Sequence, residues 1–142
     1  MPDLPYAMID IVDKLIVHSS YGSLLGLELV DAAEDHVRVR LPYRPDVTTR
    51  SDVVHGGAIA GLIDTAATAA FWASPNIAEG SRGTTIGMSI NFMAAGRGQD
   101  LLAVARVRRR GREISTGEVS VQDADGVEVA AALITYKLSS PK

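Results

Sequence analysis

The chain has 142 residues, 46% hydrophobic and 22% charged, which suits one domain around one core and excludes global disorder. Fourteen Lys and Arg against 17 Asp and Glu give a formal net charge of −3, which excludes a general binder of nucleic acid acting by phosphate neutralisation. Without cysteine there is no disulfide framework, thiolate metal site or cysteine nucleophile, and three scattered histidines, His18, His36 and His55, make no zinc set.

The first fourteen residues show neither a basic region ahead of an apolar stretch nor a small-residue cleavage site. The longest apolar tract, Ala58 to Ala73, is interrupted by Gly61, Asp64, Thr65 and Thr68 and falls short of the ~20 residues of a membrane span. A cytoplasmic protein without a membrane partner is expected.

Residues 1–20 read as an N-terminal helical segment. After Pro5, Met8, Ile9, Val12, Leu15 and Ile16 follow helical spacing, and Ser19, Ser20 and Gly22 stop the pattern. Leu25, Leu27 and Leu29 then alternate as a strand, and His36 to Leu41 alternates again, which predicts a hairpin turning at 32–35. Residues 44–52 carry too little apolar pattern for a regular element. From His55-Gly56-Gly57 to about Ala73 runs an alanine-rich, nearly charge-free stretch, which predicts a helix enclosed by other elements. Strands follow at about 85–94, 101–110, 113–122 and 127–138, with turns at Gly111 and Asp125-Gly126. Joined in succession by hairpins, they predict an α+β fold in which an antiparallel sheet curls about the helix, all within a single domain over 1–142.

Chemistry concentrates on that helix. Gly56 and Gly57 sit where the first helical amides lack intrahelical acceptors and the helix dipole is positive, so they suit an anion or a carbonyl oxygen becoming one; they equally suit a sharp turn. His55 is open to the same two readings, catalysis or capping. Asp64 is the only ionisable side chain between His55 and Glu79. A carboxylate in an apolar helix is a candidate base or nucleophile, although Gly57, Gly61, Asp64 and Thr68 also fit a stripe of small and polar residues. Nine residues separate His55 from Asp64, a rise of ~13 Å and about two and a half turns, so the two lie on opposite faces. One site using both requires two antiparallel copies of the helix across a two-fold axis.

His55-Gly56-Gly57, Asp64 in the alanine-rich helix, and the strand Thr85-Ile86-Gly87-Met88-Ser89-Ile90-Asn91-Phe92-Met93 together resemble the hotdog-fold acyl-CoA thioesterases of the phenylacetate-degradation type, with similarity from about Leu24 to Leu138. The resemblance implies a hotdog fold, an obligatory homodimer joined sheet edge to sheet edge, and a further pairing into a tetramer. It implies that the Gly56 amide polarises the thioester carbonyl. It makes Asp64 of the other subunit the nucleophile or general base, and Thr85 the hydroxyl that holds the carboxylate or the water. The type usually carries Asn six residues before the histidine; here that position is Thr49, which has no amide donor.

A thioester needs no metal and no cofactor for hydrolysis, because its carbonyl is electrophilic and its thiolate leaves without obligatory protonation, so backbone donors and one base suffice. Arg106, Arg108 and Arg110 share one face of an uninterrupted strand, a guarded edge or a patch for the coenzyme A phosphates, and Arg82 is a further candidate. Phe71, Trp72, Met88, Phe92 and Met93 are candidates for core or for an acyl pocket. The leading expectation is hydrolysis of an aromatic or medium-chain acyl-CoA. The alternatives are an acyl-thioester hydratase or dehydratase and a non-catalytic acyl-CoA-binding module.

Overall fold

Helix α3 spans Gly56–Trp72, as the alanine-rich run predicts. Leu62, Ile63, Ala66 and Ala69 are fully shielded, and small alanines between the larger side chains let the sheet approach the helix closely. Its last turn is satisfied from outside: the Arg110 guanidinium donates to the Phe71 carbonyl at 2.9 Å, and the Asp35 N–H donates to the Ala73 carbonyl at 2.8 Å. In this computed structural model the described residues are 3–142.

Six strands wrap the helix: β1 (Glu28–Ala33), β2 (His36–Leu41), β5 (Arg82–Phe92), β6 (Leu101–Arg109), β7 (Ile114–Gln122) and β8 (Glu128–Ser139). All pairings are antiparallel, in the order β1-β2-β6-β7-β8-β5, which is the α+β arrangement expected from the sequence. One expectation about strand pairing fails. β5 does not form a hairpin with β6; the chain crosses over after Phe92, so β5 pairs with β8 at one edge while β6 pairs with β2 in the middle. Val37, Val39, Leu41, Leu101, Ala103, Ala105, Val119 and Val121 supply the sheet's buried face.

Two other stretches are more ordered than their sequence suggests. The N-terminal helix α1 (Tyr6–Ile11) widens into a π-helical turn at Val12–Val17, and Ser19, expected as a stop, instead caps a second short helix, α2 (Ser20–Leu25), by accepting the Gly22 N–H. Leu25 therefore closes a helix and is not in a strand; Gly26, at φ 76°, ends α2 in the left-handed conformation, and β1 begins at Glu28. Residues 44–52 hold a 3₁₀ turn (Pro45–Val47) and strand β3 (Thr48–Arg50), which pairs with β4 (Val53–Val54) as a small ribbon leading into α3. Met1 and Pro2 of the N-terminal segment lie outside the described residues.

Candidate active site

Asp64 lies halfway along α3, partly buried, and the Thr85 hydroxyl donates to its Oδ1 at 2.7 Å. A local irregularity in β5 makes that contact. Phe92 faces the helix, since its ring lies 3.5 Å from where a Cβ on Gly56 would stand. Strict alternation along the strand would then send Thr85, seven residues earlier, to the opposite face. The register with β8 shifts between Thr85 and Gly87, so Ile86 is an extra residue, a β-bulge that turns Thr85 back toward the helix.

At the tip of α3, His55 is the N-cap, and its Nδ1 accepts the Gly57 N–H at 2.7 Å. Two open amides are expected there from the sequence, and the structure leaves one: Gly57 is occupied by its neighbour, whereas the Gly56 N–H makes no hydrogen bond to any described residue. With Nδ1 accepting, a neutral His55 carries its proton on Nε2 and presents a second donor at the tip. Thr49 is exposed on β3, next to Thr48, whose own hydroxyl donates to the Pro45 carbonyl. Eight residues along α3 put Gly56 and Asp64 ~12 Å apart, so one chain does not bring them together.

The arginines divide. Arg106 and Arg108 both bind Glu118, at 3.1 Å from Arg106 Nε and 2.8 Å from Arg108 Nη1, and these donors, Arg108 first, hold the Glu118 carboxyl below its ordinary pKa. Arg110 is not on their patch. The register with β7 shifts between Val107 and Arg109, which breaks the alternation, and Arg110 turns to Asp35 and the last carbonyls of α3. Arg82 opens β5, exposed, and makes no ion pair with any described carboxylate.

Two tyrosines were not legible as site residues. Tyr136 pairs across the sheet with Thr85, stacks on Phe71 with ring centroids 4.9 Å apart, and accepts the Trp72 indole N–H at 2.8 Å. Burial pushes its phenol pKa up, and the Asp64 charge adds to that. Only Trp72 in the apolar helix, whose indole N–H needs an acceptor wherever it is shielded, hints at it in the sequence. Tyr21 lies on the bare backbone of Gly61, one turn before Asp64; a Cβ there would stand 2.8 Å from its ring.

An antiparallel sheet wrapped on one long apolar helix defines the hotdog fold. The chain belongs to the thioesterase superfamily, whose family model matches residues 52–130. It is 32% identical over 82% of each chain to VNG_1336C of Halobacterium salinarum, provisionally named an esterase. To the medium/long-chain acyl-CoA thioesterase YigI of Escherichia coli K12 it is 23% identical, over 87% of this chain and 88% of that one. Among solved structures, PA5202 of Pseudomonas aeruginosa aligns with TM-score 0.78 and 30% identity over 85% of this chain and 94% of that one. These relatives support thioester hydrolysis as the general chemistry; the phenylacetate subtype is not singled out among them.

Proposed function

We propose that the chain hydrolyses acyl-CoA thioesters as a homodimer with two composite sites, each made from the α3 tip of one subunit and Asp64 of its mate. The observation that carries this reading is the held carboxylate: Asp64 is fixed by Thr85 at 2.7 Å and is too far along its own helix to share a bond with the open Gly56 amide. Two antiparallel α3 helices would close that gap. The unpaired edge β5 lies where two sheets would join.

In the composite site the Gly56 N–H, aided by the positive end of the helix dipole, donates to the thioester oxygen as it gains charge. The mate's Asp64 supplies the electron pair, either by attacking the acyl carbon or by taking a proton from the water that does. Collapse of the adduct breaks the C–S bond, the thiolate of coenzyme A departs, and water provides the oxygen of the free acid and the proton that returns to the thiol. Thr85 keeps Asp64 aimed. The substrate class is a medium-chain or aromatic acyl-CoA; the acyl-CoA activity of YigI supports the coenzyme half of that reading. The chemistry calls for no cofactor. A hydratase would need His55 as a base, and its Nδ1 is already engaged by Gly57, with Nε2 left as a donor.

The test is release of free thiol from a panel of CoA esters. Wild-type protein releases it, and Asp64→Asn, which keeps the shape and removes the base, lowers kcat by roughly 10²–10⁴-fold. Turnover unchanged in Asp64→Asn would overturn the reading.

A further inference from the structure

The side of α3 that carries Asp64 is covered by the sheet only in part; across from it stands the N-terminal segment. Between them is a cleft of about 270 Å³ lined by Leu15, Ile16, Ser19, Tyr21, Asp64, Thr65 and Thr68. Three features build it. The π-helical turn Val12–Val17 is anchored by fully buried Val12 and Val17, which leaves Leu15 69% exposed toward the opening. Ser19 caps α2, and the Ser23 hydroxyl donates to the His18 carbonyl at 3.1 Å, so the turn that carries Tyr21 is tied down on both sides. Gly61 has no side chain, which lets the Tyr21 ring approach the helix backbone closely, in the cleft that Asp64 also lines.

We infer that this cleft holds the acyl group of the substrate, and that Tyr21, with Leu15, sets the chain length the protein accepts. The inference rests on the proposed thioester hydrolysis. An acyl carbon attacked by Asp64 or its water lies ~3–3.5 Å from the attacking atom, so the carbons that follow it start in the cavity Asp64 itself lines. The N-terminal wall of that cavity is Leu15, Ile16, the Tyr21 ring and one small polar residue, Ser19, and its helical floor is polar, which suits a carboxyl-derived head followed by a hydrocarbon tail. Its size lies below the roughly 300–1,000 Å³ of sites that enclose a whole drug-sized ligand, so it takes the acyl tail and leaves the nucleotide outside.

The test is binding of two non-hydrolysable thioethers, S-ethyl-CoA and S-octyl-CoA, by calorimetry. Wild-type protein is expected to prefer S-octyl-CoA. In Tyr21→Ala the octyl compound should weaken by roughly tenfold or more while the ethyl compound changes less than about threefold, because only the longer tail reaches the wall. Tyr21→Phe should restore the preference. Gly61→Ala tests the same wall from the helix: its new methyl would stand 2.8 Å from the Tyr21 ring and 2.9 Å from Leu25 Cδ1, so α2 must shift, and the octyl compound should again be penalised more than the ethyl one. Equal weakening of both thioethers, or of neither, would overturn the assignment, as would a wild-type protein indifferent to tail length. The readout does not depend on turnover: unchanged tail discrimination in Tyr21→Ala beside normal hydrolysis sinks the cleft alone, and full turnover in Asp64→Asn sinks the hydrolysis reading alone.

Discussion

The two edges of the sheet are built differently. On β1, Glu28 and Asp31 meet Arg40 and Arg38 of β2, so that edge ends in exposed ion pairs. On β5 the only charge is Arg82, its first residue, and Ile86, Met88 and Phe92 are 56%, 40% and 53% exposed on the single chain. Charge along an edge discourages strand addition, and a long, nearly neutral edge invites it. The difference is what the proposed dimer requires of its joining edge, and the same strand carries Thr85, which holds the candidate catalytic carboxylate. Under the proposed dimer, assembly and chemistry share the eleven residues of β5.

Charging the inviting edge should have the largest effect. A Cβ on Gly87 meets nothing within 4 Å in the single chain, so Gly87→Lys fits the isolated fold and acts only on what pairs with it. Sedimentation should show monomers, and thiol release should fall by roughly 10²-fold or more, toward the level of the Asp64→Asn protein. A fully active dimer would show that the join lies elsewhere. The next effect belongs to the bulged threonine. Thr85→Val removes a hydrogen bond to a carboxylate, worth about 1.5–3 kcal/mol, and should cut kcat by roughly ten- to hundredfold; Thr85→Ser should recover most of it.

The guarded edge should respond least. Asp31 is about half exposed, so Asp31→Asn should cost under about 1 kcal/mol by urea denaturation at pH 7 and leave turnover intact. The Arg38 hydrogen bonds hold the Asp31 carboxyl below its ordinary 3.8. Its stabilisation is thus present above that value and lost as pH falls through the lowered folded value. Wild type and Asp31→Asn should therefore converge in stability in strong acid, and a gap that widens there would contradict the ion pair as its source.

Much of this was readable in advance, for identifiable reasons. The α3 run is long, rich in alanine and broken by one carboxylate, so helix, burial and candidate base were legible together. β6, β7 and β8 lie close to their expected bounds because Gly111 and Asp125-Gly126 mark the turns. The partner of β5 was not legible, because hairpin reasoning assumes that neighbours in sequence are neighbours in the sheet, and β5 pairs with a strand some forty residues on. The bulge at Ile86 had one signal, Gly87 inside the strand, but a lone glycine does not say which neighbouring residue is extra or where Thr85 then points. A similar shift after Val107 sent Arg110 to cap α3 instead of joining Arg106 and Arg108. His55 shows a further limit: a histidine before two glycines reads alike whether it caps an amide or meets a substrate, and only the 2.7 Å bond to Gly57 resolves the first role.

Subunit complementation tests the shared site most directly. Gly56→Pro deletes only the open amide: proline suits the first helical position, and His55, at φ −62° and ψ 135°, already has the extended backbone that precedes proline. Gly56→Pro and Asp64→Asn homodimers should each be nearly inactive. Co-expressed in equal amounts, half of the dimers are mixed, each with one intact site, so activity should return to about a quarter of wild type. A mixture no more active than its parents would mean that amide and carboxylate do not meet across the two-fold axis.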